Sequence, residues 1–172
     1  MTTRRRMTAA VLTFAMLGAG GAGLAQDDLS VVVDPRADFS LFRTFKLIEG
    51  QIRSDRPELD NRLFEKKLAT TIRAALISRG LVDAADRPDL TVHFSVTGQD
   101  VSTSQRGVGR GDGPRPLMFT VGMLVIDLMR PDDPTPVWRG VYRDDESTGS
   151  KLVQKLPEDA TRLIDRYPKR RK

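Results

Sequence analysis

The chain of 172 residues contains no cysteine, one histidine and one tryptophan. Without a thiol there is no disulfide, thiolate metal site, cysteine nucleophile or lipid attached through cysteine. The single histidine, His93, excludes a multi-histidine metal cluster, and any Ser-His-Asp arrangement would have to pass through it. No Gly-x-Ser-x-Gly turn accompanies it. Long apolar runs are missing beyond the first 25 residues: the longest, Val121–Ile126, stops at Asp127, far short of a membrane span. The glycine-rich stretch Gly107–Gly113 lacks the Gly-Lys-Ser/Thr ending of a phosphate loop, and Pro114 and Pro116 keep a helix from following it. Asp132-Asp133 and Asp144-Asp145-Glu146 lack the alternate ligand spacing of a calcium loop. These absences predict no catalytic residue, no cofactor and no metal.

The first segment reads as an address. Arg4, Arg5 and Arg6 precede an uncharged stretch, Met7–Ala25, that ends in Gly23-Leu24-Ala25. Basic, apolar and small residues in that order predict an export signal cleaved after Ala25, leaving Gln26 as the first residue. The predicted location is periplasmic or secreted.

Net charge is +5, with 28 basic and 23 acidic residues, but it is unevenly placed. Three of the basic residues lie in the address and four form the ending Lys169-Arg170-Arg171-Lys172, so residues 26–168 hold 21 basic against 23 acidic residues. A nearly neutral body does not suit nucleic acid, whose binding rests on clustered cations. The basic tail suits peripheral contact with anionic lipid or cell-wall polymer.

Hydropathy patterning predicts a single domain over residues 26–168. Leu29, Val31 and Val33 form a half-buried strand closed by Asp34-Pro35, and Thr44–Ile48 a second. Residues 50–57 read as polar linker. Phe64, Leu68, Ile72, Ala75 and Leu76 make one stripe on a helix from Glu58 to Arg79, closed by Gly80. Leu90–Val96 alternates cleanly, with Thr91, His93 and Ser95 on the other face. Residues 98–116 read as a flexible, glycine-rich loop. Thr120–Met129 and Val137–Tyr142 form a hairpin, residues 144–156 fit either a loop or an early helical turn, and Pro157 opens a second helix with Ala160, Leu163, Ile164 and Tyr167 inward. The expected fold is an α+β two-layer sandwich, a largely antiparallel sheet of about five strands with two helices on one face.

Several segments resemble a known family. They are Val33-Asp34-Pro35, Ala37–Ser40, Arg43-Thr44-Phe45, Ser78–Leu81, Pro88–Phe94, Gly122–Leu128, Val137-Trp138-Arg139-Gly140 and Arg166-Tyr167-Pro168. Their order resembles that of the bacterial domain of unknown function DUF4136, found in exported proteins and envelope lipoproteins. The resemblance implies this fold and an envelope location. Since the family has no assigned activity, it implies no reaction, and without the lipobox cysteine of many relatives this chain cannot carry that anchor.

Three groups of residues are candidates for function. Trp138 and Tyr142 share one face of the last strand and Arg139 lies on the other; the two rings are expected in the core, with an aromatic and arginine binding face of Trp138, Arg139 and Tyr142 as the alternative. Asp127, alone within an apolar strand, should pair with Arg139 or Arg143, and with His93 it could serve a carboxylate-based hydrolase. Lys169, Arg170, Arg171 and Lys172 could bind a polyanion or membrane surface. The leading expectation is a non-catalytic envelope accessory protein whose partner is another envelope protein or a cell-wall component.

Overall fold

The computed structural model describes residues 28–48, 50–105, 115–144 and 148–168. Ala25 and Lys169–Lys172 lie outside them. The strands are β1 (Asp28–Val33), β2 (Thr44–Leu47), β3 (Gln51–Ser54), β4 (Val82–Asp83), β5 (Leu90–Gln105), β6 (Arg115–Met129) and β7 (Pro136–Asp144). Helix α1 (Arg62–Ser78) lies between β3 and β4, and α2 (Gly149–Ile164) follows β7. The described strands form one mixed sheet of seven, in the order β1-β7-β6-β5-β2-β4, with β3 also pairing with β5.

The α+β class and the pair of helices agree with the sequence reading; the strand count and direction do not. β5, β6, β7 and β1 are antiparallel neighbours, but β2 and β3 run parallel to β5, end to end along its free edge. β3 falls in the stretch read as linker. Only Ile52 marks it as strand, and its pairing is decided by the partner: Ile52 lies beside Val96 on the core face.

Helix α1 starts later than Pro57 suggests. Asn61 is its N-cap, accepting from the Phe64 N–H at 2.8 Å, while Leu59 is buried in the preceding turn. It ends as expected at Gly80, which takes the left-handed φ of +93° that glycine tolerates. Helix α2 starts earlier than predicted. Thr148 caps it, and Pro157 sits inside the helix rather than at its start. Its buried Leu152, Leu156, Ala160, Leu163 and Ile164 repeat the spacing of Phe64, Leu68, Ile72, Ala75 and Leu76 in α1. Two equal stripes thus cover one face of the sheet, closing on Val92, Phe94, Val96, Leu124, Ile126 and Leu128.

The predicted loop 98–116 also needs correction. β5 and β6 stay in register from Thr91↔Met129 out to Gln105↔Arg115, so much of the segment is a two-stranded ribbon. A polar, glycine-containing strand has no hydrophobic alternation to reveal it, and only its apolar partner strand defines it.

Candidate functional site

The segments that carry the family resemblance meet one another in the folded chain. The Asp89 carboxylate accepts from the Arg43 and Thr44 amides and from Thr44 Oγ1 at 2.8–2.9 Å. These bonds tie the start of β2 to the start of β5 and hold the carboxyl below the usual carboxylate range, led by the bond from Arg43. Tyr167 stands edge-on to both Phe39 and Trp138, with ring centroids 5.5 and 6.1 Å apart. Trp138 is fully buried, and its indole folds over Gly140, two residues along the same face of β7. An added Cβ at Gly140 would lie 2.5 Å from that ring, so Trp138 and Gly140 form one packing unit. These contacts tie the family-like segments to one another.

Trp138, Arg139 and Tyr142 therefore do not share a surface. Trp138 and Tyr142 are buried on the helix-covered face, and Arg139 points the other way. Tyr142 donates to Asp144 at 3.0 Å in the interior. Burial, reinforced by Asp159 and Asp144, pushes its hydroxyl far above the ordinary tyrosine value.

Among the described residues no helix lies across the other sheet face. There the register aligns Val32 of β1, Arg139 of β7, Asp127 of β6 and His93 of β5 in one row. Arg139 binds both Asp127 oxygens, through Nε at 2.6 Å and Nη2 at 2.8 Å. Of the two partners expected for Asp127, Arg139 is the one directly opposite, and the bond raises its already high pKa. The next row holds Ser30, Val141, Val125, Ser95 and Gln51.

Between β3, β5 and β6 these rows enclose a hollow of about 210 Å³, lined by Gln51, His93, Ser95, Val125, Asp127 and Met129. Past His93 and Met129 a second hollow of about 340 Å³ runs along the turn Arg130–Pro134. His93 and Asp127 thus share a cavity, as a hydrolase would require. Yet the bidentate bond to Arg139 occupies the carboxylate that would act as base or nucleophile. The groove presents an imidazole, a hydroxyl and a carboxamide beside a neutralised ion pair, with Val125 and Met129 among its apolar members. Gln51 and the Arg130–Pro134 wall were not foreseen; the alternation of Gln51, Ile52 and Arg53 is the one trace of the former.

A larger hollow, about 430 Å³, adjoins the start of α1, where Arg53 and Arg62 are offset by Asp60 and Glu65. Among the described residues no helix is long and apolar enough to cross a membrane. Nor does any group of three or more His, Asp or Glu among them converge as metal ligands.

Comparison with known proteins places this geometry. The domain of unknown function DUF4136 matches residues 30–169. No curated protein matches the chain. A PDZ domain protein from Parabacteroides distasonis shares the fold, with a TM-score of 0.54 and 15% identity; the match covers 81% of this chain and 35% of that one. The chain therefore spans about a third of that protein's length. A DUF4136 family protein from Bacteroides thetaiotaomicron aligns with a TM-score of 0.47 at 14% identity, over 81% of this chain and 92% of its own. The PelC dodecamer from Paraburkholderia phytofirmans gives 0.45 at 13% identity, again over 81% and 92%. With the match spanning nearly all of the described fold, the chain belongs to the DUF4136 family.

Proposed function

We propose that the protein is an exported, non-catalytic accessory protein of the bacterial envelope that recognises its partner through the uncovered face of its sheet. The observation that carries this reading is the division of the two faces. The helices bury one, whereas the other combines hydrogen-bonding groups with exposed aliphatic ones, Val32 at 65% and Met123 at 37% exposure. The basic, apolar and small-residue order of residues 1–25 supports export. A photoreactive residue at Val141, at the centre of the uncovered face, should capture a recurrent envelope partner in cells, whereas one at exposed Asp86 should not. Equal capture from both positions, or a purified protein that retains residues 1–25 in the cytoplasmic fraction, would reject the proposal.

The hydrolase alternative keeps one favourable observation, the cavity shared by His93 and Asp127. It requires turnover of an ester, peptide or glycoside that disappears in His93→Ala. Turnover that survives this change, or none across those substrate classes, rejects it.

A further inference from the structure

The sheet ends at β3 with backbone groups left unclaimed. β3 pairs with β5, and among the described residues no strand lies on its other side. The Ile48 N–H donates to the Val92 carbonyl at 2.9 Å, so the even-numbered residues of β5 turn their amides and carbonyls toward this edge. Gln51 stands opposite Ser95 and Arg53 opposite Thr97, and in this parallel register the backbone groups of Gln51 and Arg53 face β5. Those of Ile52, between them, face outward. Nothing among the described residues bonds the Ile52 N–H or carbonyl.

The hollow of about 430 Å³ runs along this edge, bounded by residues 50–53 on one side and by residues 60–62 and Glu65, at the start of α1, on the other. It shares Gln51 with the groove around His93. The Ile52 side chain is half-buried on the core face, while Gln51 and Arg53 lie on the uncovered face. Thr97 and Met123 follow Arg53 in its row, and neither can neutralise it. Arg53 makes no hydrogen bond or ion pair among the described residues. An unpaired edge with open room beside it is a template for another strand.

We propose that this edge takes up an extended segment of a partner protein by strand addition, with the backbone of Ile52 as the anchor. The added residue opposite Ile52 turns its side chain to the core face, where an aliphatic group suits its neighbour. The next residue, beside Arg53, lies on the uncovered face, where a carboxylate supplies the missing charge. The recognised pattern is therefore an aliphatic residue next to an acidic one in extended chain. A second copy paired β3 to β3 would offer Gln51, Ile52, Arg53 and Ser54, and so no acid. The proposal goes beyond the recognition reading and is independent of it, since the edge backbone rather than the side chains of the face carries it.

Amide chemical shifts of the 15N-labelled chain test it, titrated with the end-blocked peptide Thr-Val-Glu-Val-Thr, whose side-chain order is the same in either strand direction. Saturable shifts should appear at residues 51–54 and at Arg62. The same peptide N-methylated at its valine and glutamate amides should not bind, because it cannot donate to the Ile52 carbonyl. Lysine in place of the peptide's glutamate should weaken binding about five-fold, and Arg53→Glu should reverse that preference. Arg53 is exposed, so unchanged shifts elsewhere should confirm the fold of the variant. The proposal is overturned by the absence of saturable shifts at residues 51–54, by equal binding of the N-methylated peptide, or by a charge preference that Arg53→Glu leaves unchanged. Self-association in sedimentation that Arg53→Glu abolishes would assign the edge to a second copy and also overturn it.

Discussion

Replacing Gly140 by alanine isolates the contact that defines the Val137-Trp138-Arg139-Gly140 segment. In an ordinary strand the change should stabilise by about 0.5–1 kcal/mol, because glycine loses more backbone freedom on folding. Here the new methyl would lie 2.5 Å from the edge of the Trp138 ring and 3.0 Å from Leu163 Cδ2. The indole cannot swing aside easily, since it is fully buried and held edge-on by Tyr167. Overpacking of this kind costs about 1–3 kcal/mol, so the two effects have opposite signs. Gly140→Ala should therefore destabilise, with a net loss of up to about 2 kcal/mol, a fall in Tm of several degrees. Urea unfolding monitored by circular dichroism would measure it. The penalty should shrink in a Trp138→Leu background, where the methyl finds room, giving a coupling energy of order 1 kcal/mol. A stabilised Gly140→Ala protein, or the same penalty in both backgrounds, would refute the packing argument.

Three further outcomes follow from the polar contacts. Asp89→Ala removes the acceptor of three hydrogen bonds at the β2–β5 junction and should cost about 1–3 kcal/mol at neutral pH in urea unfolding. Because the folded state holds this carboxyl below its ordinary 3.8, its contribution is present above that pH and is lost as pH falls through the lower folded value. The gap between variant and wild type should accordingly narrow in acid. The chain has two tyrosines, Tyr142 and Tyr167, and burial raises both well above their ordinary value near 10. Their stabilising effect is complete below pH 10 and is lost above it, so phenolate absorbance should appear together with unfolding; free titration near pH 10 would contradict their burial. Arg139→Ala breaks a pair whose arginine is half exposed, so stability should fall by no more than about 1 kcal/mol. Partner capture from Val141 should nonetheless drop, and undiminished capture would remove Arg139 from the recognition surface.

Much of the fold was legible because its period is written in side chains that the core selects. Leu90, Val92, Phe94 and Val96 gave both the strand and its buried face, and the register then confirmed His93, Ser95 and Asp127 on the other. The α1 stripe was equally clear. What escaped had a partner-dependent cause. β3 contributes one aliphatic residue to the core face, so its strand character depends on pairing with β5. Pro157 read as a helix start because proline suits the first turn, yet Leu152 and Leu156 extend the stripe of α2 back to Gly149. The polar half of β5 beyond Gly98 is strand because β6 lies beside it. The groove around His93 was only half visible for the same reason: one wall belongs to β3.

The recognisable segments of this chain are mostly those that the architecture consumes. Trp138 requires Gly140, Tyr167 closes on Phe39 and Trp138, and Asp89 binds the Arg43-Thr44 backbone. A signature made of such contacts specifies a fold and leaves chemistry free to vary. The proposed function therefore draws on side chains that the fold leaves unclaimed, and two surfaces offer them. One is the free edge of β3, where Arg53 has no partner among the described residues. The other is the uncovered sheet face, where His93 is the exception that joins both accounts. It lies within a family-like strand, yet alternation turns it away from the core and into the groove. Replacing it should leave folding almost untouched, so any loss of recognition in a stable His93→Ala protein would report on function alone.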